Sequence, residues 1–220
     1  VDRFHVESVP ELWRLDREAR ARGVRARGLL RVNVPVSGQG GVLTMGGGPS
    51  PFGMDPADAD ASAAALKNLP GIEFTGIHAH LASGLDPQSC AEHGATVVNW
   101  AAAFTRRHRL PFREVNIGGG MAVDYLDPAR RFDWSSYARH LVDLTRGVFA
   151  GQAPSLRIEP GRAVSAYSGW YASRILDVKR SHGEWFAVCA GGTHHLRTPA
   201  AKGHDLSLIH ISEPTRLRRI

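Results

Sequence analysis

Three short stretches place histidine, glycine and opposed charges at spacings that chemistry can use. They are "GIHAHLASG" (Gly76–Gly84), "NIGGGMAVDY" (Asn116–Tyr125) and "RIEPGRAV" (Arg157–Val164). Backbone N–H groups of a glycine loop at a strand end form a concave anion site, and Gly118, Gly119 and Gly120 suit that role. The same triplet serves equally well as a tight turn. Glu159 is a carboxylate on a strand-ending turn, able to face a protonated nitrogen or simply to pair with Arg162. His78 and His80 imitate a His-x-His metal pair that His194 and His195 would complete. Alternate strand residues share a face, however, so two inward-facing histidines give the same spacing. No cysteine or acid cluster stands at ligand spacing, and no metal is expected.

Two other stretches carry less. "GQGGVLTMGGGPS" (Gly38–Ser50) is glycine-rich but lacks the Gly-Lys-Ser/Thr ending with which a P-loop holds phosphate and magnesium. The acids of "DPADADAS" (Asp55–Ser62) read as a helix start.

Short apolar, β-prone runs position these residues. They are Arg3–Val6, Gly28–Val34, Thr75–His80, Glu114–Gly120 and Ser155–Arg162, and the candidate residues sit at the ends of the last three. Between the runs lie segments with helical apolar spacing: Val9–Arg22, entered through Ser8 and Pro10, then Pro56–Asn68, Cys90–Arg109 and Trp134–Phe149. Strands alternating with helices imply parallel strands joined by crossovers, in a doubly wound sheet or a (β/α) barrel. In a barrel, the residues after the strands form the rim where active sites lie. Beyond Tyr171 the texture changes to closely spaced strand candidates, "SRILDVKR" and "EWFAVCA", which predict the start of a β-rich second domain.

The chain has 220 residues, 43% hydrophobic and 22% charged, an ordinary globular composition with no run long enough to span a bilayer. No membrane partner is expected. Two cysteines in no paired motif, and the absence of a signal sequence, suit the cytoplasm. The net charge of +6 comes from scattered arginines on stretches such as "RLDREARARGVRAR", a solvated helix face rather than a nucleic-acid surface. "LSLIHISEPTR" (Leu206–Arg216) resembles the translation of a sequencing-library adapter. Setting aside 206–220 removes three arginines and one glutamate and lowers the net charge to +4. The expected organisation is 1–170 as a partial barrel, 171–205 as the start of a C-terminal β domain and 206–220 as a non-native tail.

The ordered set of three motifs resembles the fold-type III pyridoxal-phosphate decarboxylases, which act on ornithine, lysine, arginine or diaminopimelate. "LLRVN" and "GGGPSPFGMD" also look like that family's preceding strand and loop. The resemblance implies an α/β chain comprising the last five strands of a (β/α)8 TIM-type barrel, followed by the start of a C-terminal β domain. It implies pyridoxal 5'-phosphate as cofactor, an amino acid as substrate and a homodimer for the full-length protein. By the same resemblance Gly118, Gly119, Gly120, Ser83 and Arg162 bind the phosphate, and His80 stacks on the ring. Glu159 faces the pyridine nitrogen, where related racemases use arginine, and Arg31 braces the site from the barrel interior.

The departures from the pattern are specific. Ala82 stands where many members have glycine, and none of Lys67, Lys179 and Lys202 matches the family's Schiff-base lysine. That lysine is expected upstream of Val1, and a cysteine-aspartate pair and a cofactor-contacting tyrosine downstream, so the fragment alone is expected to be inactive. "GGTHHLRTPAAKGHD" (Gly191–Asp205) resembles the subgroup associated with siderophores or secondary metabolites. A basic or dicarboxylic amino acid is the expected substrate. The alternatives are a non-catalytic cofactor-binding relative and an amino-acid racemase of the same fold.

Overall fold

The computed structural model describes residues 3–35, 43–44, 46–125, 127–149, 153–169 and 171–191. His194, His195, Lys202 and the adapter-like tail at 206–220 lie outside the described residues. In chain order the elements are β1 (Arg3–Val6), α1 (Val9–Ala21), β2 (Ala26–Arg31), β3 (Leu43–Thr44), α2 (Pro56–Ala65), β4 (Ile72–His78), β5 (Ala82–Ser83), α3 (Pro87–His108), β6 (Glu114–Asn116), α4 (Trp134–Thr145), β7 (Ser155–Arg157), α5 (Arg162–Ser165), β8 (Ile175–Ser181) and β9 (Glu184–Cys189). A single 3-10 turn, Leu66–Asn68, continues α2.

β1, β2, β4, β6 and β7 form one sheet in that order, each pair parallel. Every long strand lies beside the one before it, so the sheet has no point at which strand order reverses. That separates a barrel arc from a doubly wound sheet, whose order turns back on itself. Four helices fill the crossovers, as a parallel ladder requires.

Sequence sets the helix starts. Ser8, Asp55, Asp86 and Asp133 each cap a helix, their side chains accepting from the N–H groups of Glu11, Ala57, Ser89 and Ser136. Proline follows the cap within two positions in the first three of these, where its missing N–H costs nothing. The acid run at Asp55 is therefore a helix start. α3 begins three residues before the spacing predicts, because Asp86 and Pro87 supply both signals.

The two faces of the sheet divide the work. Val6, Leu30, Ile77 and Val115 lie side by side in register and are buried against the helices with Leu12, Val97, Val98, Ala101 and Phe104. Gly94 in mid-α3 lets that helix settle on the sheet, for a Cβ there would come within 2.9 Å of Ile117 and 3.1 Å of Leu141. The next residues along, Arg31, His78 and Asn116, also share a row and face the other way. The alternation that builds the core thus delivers the polar residues to the barrel interior. Deeper on that interior face, buried Glu114 pairs with Arg3 at 3.0 Å and Arg157 at 3.1 Å.

The last three strands of this sheet stop two to five residues before the expected ends, at His78, Asn116 and Arg157. Gly118 and Gly120, with φ of 73° and 96°, cannot continue a strand. His80, Ser83, the glycines and Glu159 consequently lie on the loops at the rim.

By contact, the described residues divide into two compact units. One unit comprises Val1–Val123 and Phe132–Val164; the other runs from Ser165 onward and includes Asp124–Arg131. Tyr167 explains the exchange of that loop, since its hydroxyl donates to the Asp124 carbonyl and Arg131 lies over its ring at 4.0 Å. Within this second unit β8 and β9 form the antiparallel hairpin that the closely spaced strand candidates imply. Its turn, His182–Gly183, has φ of 47° and 87°, matching the right-handed strand twist. Among the described residues, no helix is long and apolar enough to cross a membrane.

Candidate active site

The ends of β4, β6 and β7 carry the three motifs to one place, and the glycine triplet is the joint between them. A Cβ on Gly118 would lie 2.8 Å from the Ala79 carbonyl oxygen and 2.9 Å from His80 Cα. On Gly119 it would overlap the Glu159 carbonyl, and on Gly120 the Ala82 carbonyl, next to Ser83. Each glycine therefore abuts the backbone of a different candidate residue. The ladder is completed by hydrogen bonds from Glu159 N to Gly118 O (2.8 Å) and from Gly84 N to Gly120 O (2.8 Å).

The triplet is thus both a turn and a spacer, and its amides are not equivalent. Gly118 N donates to Asn116 Oδ1 at 3.0 Å. The N–H groups of Gly119 and Gly120 donate to no acceptor among the described residues. Beside them the Arg162 guanidinium donates to the Ser83 hydroxyl at 2.7 Å, so two residues 79 positions apart in sequence meet. Ala82 pairs with Thr44 in the short β3–β5 ladder, which anchors the serine loop from its other side.

Glu159 occupies the centre. Asn116 Nδ2 donates to its Oε1 at 2.9 Å, His78 Nε2 stands 3.6 Å from the same oxygen, and His80 Nδ1 stands 3.9 Å from Oε2. His80 contributes most to holding this carboxyl down to about 2, with help from the Asn116 hydrogen bond and against the opposing effect of burial. Glu159 is accordingly an anion at every physiological pH.

His78 is the opposite case. It is 3% exposed, and neither ring nitrogen has a hydrogen-bond partner among the described residues. Burial, reinforced by His5 and Arg31, lowers it to about 3 and leaves the imidazole neutral. A folded state that refuses a proton which the unfolded chain accepts loses stability as pH falls from the ordinary histidine value of 6.5 towards 3. Thermal melts should therefore fall in midpoint between pH 7 and pH 4. His78→Gln should flatten that slope, and an unchanged slope would contradict this origin.

Arg31 does not touch the carboxylate. Its guanidinium pairs with Glu7 Oε1 at 2.6 Å, just past β1, and lies 5.2 Å from the Phe52 ring centre. Glu7 Oε2 in turn accepts from Gly53 N at 2.7 Å, so Arg31 ties together the ends of β1 and β2.

Three residues near the site were not singled out from sequence. Asn116 opens the quoted glycine motif, and its parity with Glu114 marks it as inward-facing. His5 alternates with Arg3 in "RFHV" in the same way, and its ring lies 4.1 Å from that of His78. Glu7 sits in a helix-start signature and reads as a cap element. Cys90 packs against the Gly119 carbonyl, and burial pushes its thiol up to about 11, which makes it a core residue rather than a nucleophile.

Residues 1–166 match the family model for the pyridoxal-dependent decarboxylase, pyridoxal binding domain. A Staphylococcus aureus 2-[(L-alanin-3-ylcarbamoyl)methyl]-2-hydroxybutanedioate decarboxylase is 32% identical over 206 residues, covering 93% of this chain and 51% of that protein. A Bacteroides thetaiotaomicron diaminopimelate decarboxylase is 28% identical, with 96% and 55% covered. Among solved structures, the Helicobacter pylori diaminopimelate decarboxylase complexed with L-lysine has the same fold, with a TM-score of 0.73 at 23% identity over 90% of this chain and 48% of that one. The chain spans about half the length of the curated relatives it matches. By its strand order and the match over its first 166 residues, the chain belongs to the pyridoxal-dependent decarboxylase family, as a pyridoxal-binding domain built on a partial (β/α) barrel.

Proposed function

We propose that the chain is the cofactor-binding part of an enzyme that decarboxylates a basic or dicarboxylic amino acid with pyridoxal 5'-phosphate. The observation that carries this reading is the company of Glu159. A carboxylate kept ionised and aimed by Asn116 sits one glycine away from an Arg162–Ser83 pair and two amides that have no acceptor among the described residues. That donor set fits the cofactor at both ends, an anion receptor for the phosphate and an anion for the ring nitrogen. When bound, the cofactor supplies an electron-withdrawing ring that accepts the electron pair left as carbon dioxide departs.

The chain's own residues then have distinct tasks. Gly119 N, Gly120 N, Ser83 Oγ and the Arg162 guanidinium hold the phosphate, while Gly118 sets the spacing between loops. Glu159 holds a proton on the ring nitrogen, which glutamate favours and an arginine there would not. His80 covers one face of the ring and keeps water from it. Arg31 fixes the β1 and β2 ends through Glu7.

Lys67 lies on the turn before β4, at the opposite strand end from the site. The covalent lysine is therefore assigned to the remainder of the full-length protein, as is completion of the C-terminal β domain that the second unit begins. A cytoplasmic homodimer is part of the same reading. The substrate named for the Staphylococcus aureus relative, an amino acid amide-linked to a hydroxydicarboxylate, supports a dicarboxylic-type substrate, and the resemblance of Gly191–Asp205 supports a siderophore or secondary-metabolite setting.

The test uses full-length protein loaded with pyridoxal phosphate and a panel of carboxyl-labelled basic and dicarboxylic amino acids. Release of labelled carbon dioxide is expected. Inversion of the stereocentre with the label retained overturns the reading in favour of a racemase, and binding with neither reaction in favour of a non-catalytic relative. Arg162→Ala should weaken binding of pyridoxal phosphate at least about tenfold, the loss of one charge-assisted contact, and leave that of pyridoxal unchanged.

A further inference from the structure

His5, His78 and Glu159 each offer one donor atom, all within 4.8 Å of one another, although they come from three different strand ends. We propose that these three residues bind a divalent transition metal ion of the zinc class when the cofactor is absent. The site rests on their geometry; that the ion then competes with pyridoxal phosphate rests on the function proposed above, because Glu159 belongs to both.

The donor chemistry is specific. Two imidazoles and one carboxylate oxygen, with a fourth position left to water, match the three-ligand zinc arrangement. A tetrahedral ion with bonds of about 2.1 Å separates its ligands by roughly 3.4 Å, so the cluster has to contract by little more than 1 Å. The rings of His5 and His78 already lie 4.1 Å apart with 35° between their planes. His78, held neutral, presents one ring-nitrogen lone pair that accepts no hydrogen bond: the residue is buried, and both ring nitrogens lack a hydrogen-bond partner among the described residues. A buried imidazole with unmet hydrogen-bonding capacity costs free energy that a metal bond recovers.

The surroundings support the ion. Asn116 Nδ2 fixes the carboxylate at 2.9 Å, the outer-sphere contact that metal-binding acids ordinarily receive. Arg31, whose charge acts on both histidines, is paired with Glu7 at 2.6 Å, and buried Glu114 lies deeper in the same interior. Magnesium and calcium are poorly served, since they want several oxygens and the cluster has one carboxylate. His80 is not a member; its Nδ1 stands 3.9 Å from the other Glu159 oxygen. The pair that matters therefore joins β1 to β4 and is not the His-x-His pair read from sequence.

Zinc chloride titrated into the full-length apoprotein, followed by calorimetry and zinc-edge X-ray absorption, tests the site. One ion per chain with two imidazole ligands is expected, and magnesium chloride should give no binding. His5→Phe keeps a ring against His78, and Glu159→Gln keeps the hydrogen-bonding shape. Each should weaken zinc binding at least tenfold, the scale on which even outer-sphere changes act at about 10- to 100-fold. His80→Asn should change it less than about threefold. Circular dichroism and melting midpoints establish that the variants are folded. Zinc binding of equal strength in wild type and His5→Phe, or absorption spectra without two imidazoles, overturns the site. Zinc should also weaken pyridoxal phosphate binding in wild type but not in His5→Phe. If zinc binds as described without displacing the cofactor, the metal site stands and the assignment of Glu159 to the cofactor ring falls.

Discussion

Gly119→Ala should lose the barrel arc's cooperative unfolding transition or shift it by roughly 3 kcal/mol or more, the upper range of overpacking costs. The added methyl overlaps the Glu159 carbonyl, which is backbone and cannot rotate away. Relief requires β7's terminal loop to part from the glycine loop, at the expense of the Glu159 N to Gly118 O bond. Gly48→Ala is the control, for a Cβ there meets nothing within 4 Å and its backbone needs no special conformation. That variant should stay within about 0.5 kcal/mol of wild type. Urea unfolding of both decides the matter: equal shifts would mean that the triplet is a turn without a spacing role.

Glu159→Gln in the full-length protein should lower kcat by about 100- to 1,000-fold, the range for removing one preorganised electrostatic partner of a developing charge. The amide keeps the size of the side chain and can still accept from Asn116, so the fold should survive. What disappears is the negative charge that His80 and Asn116 stabilise. Because that carboxyl lies near 2, the wild-type rate should show no acid limb from Glu159 between pH 4 and pH 7. A fall in kcat of less than about threefold with intact cofactor binding would remove Glu159 from the mechanism.

Much of the architecture was legible because its signals are local. Apolar spacing with the Ser8 and Asp55 start signals locates the helices, and β-prone runs locate the five strands; the Asp86 and Asp133 caps were not read. Strand ends were overestimated because a glycine triplet after an apolar run extends the run in a linear reading. Only the backbone angles of Gly118 and Gly120 show that the strand has ended. Ser83 and Arg162 were grouped by the family resemblance, and their hydrogen bond at 2.7 Å brings together loops that follow two parallel strands of one sheet. The His5–His78 contact was invisible: it depends on the stagger between nonadjacent strands, which periodicity within either strand does not encode. The loop Asp124–Arg131 was likewise assigned by chain position, whereas Tyr167 and Arg131 give it to the later unit.

The glycine spacer has a consequence for how such a domain can diversify. Gly118, Gly119 and Gly120 lock three strand ends to a common ruler, so substitutions there are penalised together and the cofactor half of the site is inherited as a block. The end of β2 is locked in a similar way where Gly53 abuts the Asn33 backbone, whereas the end of β1 is tied across to it by the Arg31–Glu7 side-chain pair. Variation is therefore less constrained at the β1 end, where an ion pair makes the tie, than at the strand ends that glycine holds against backbone.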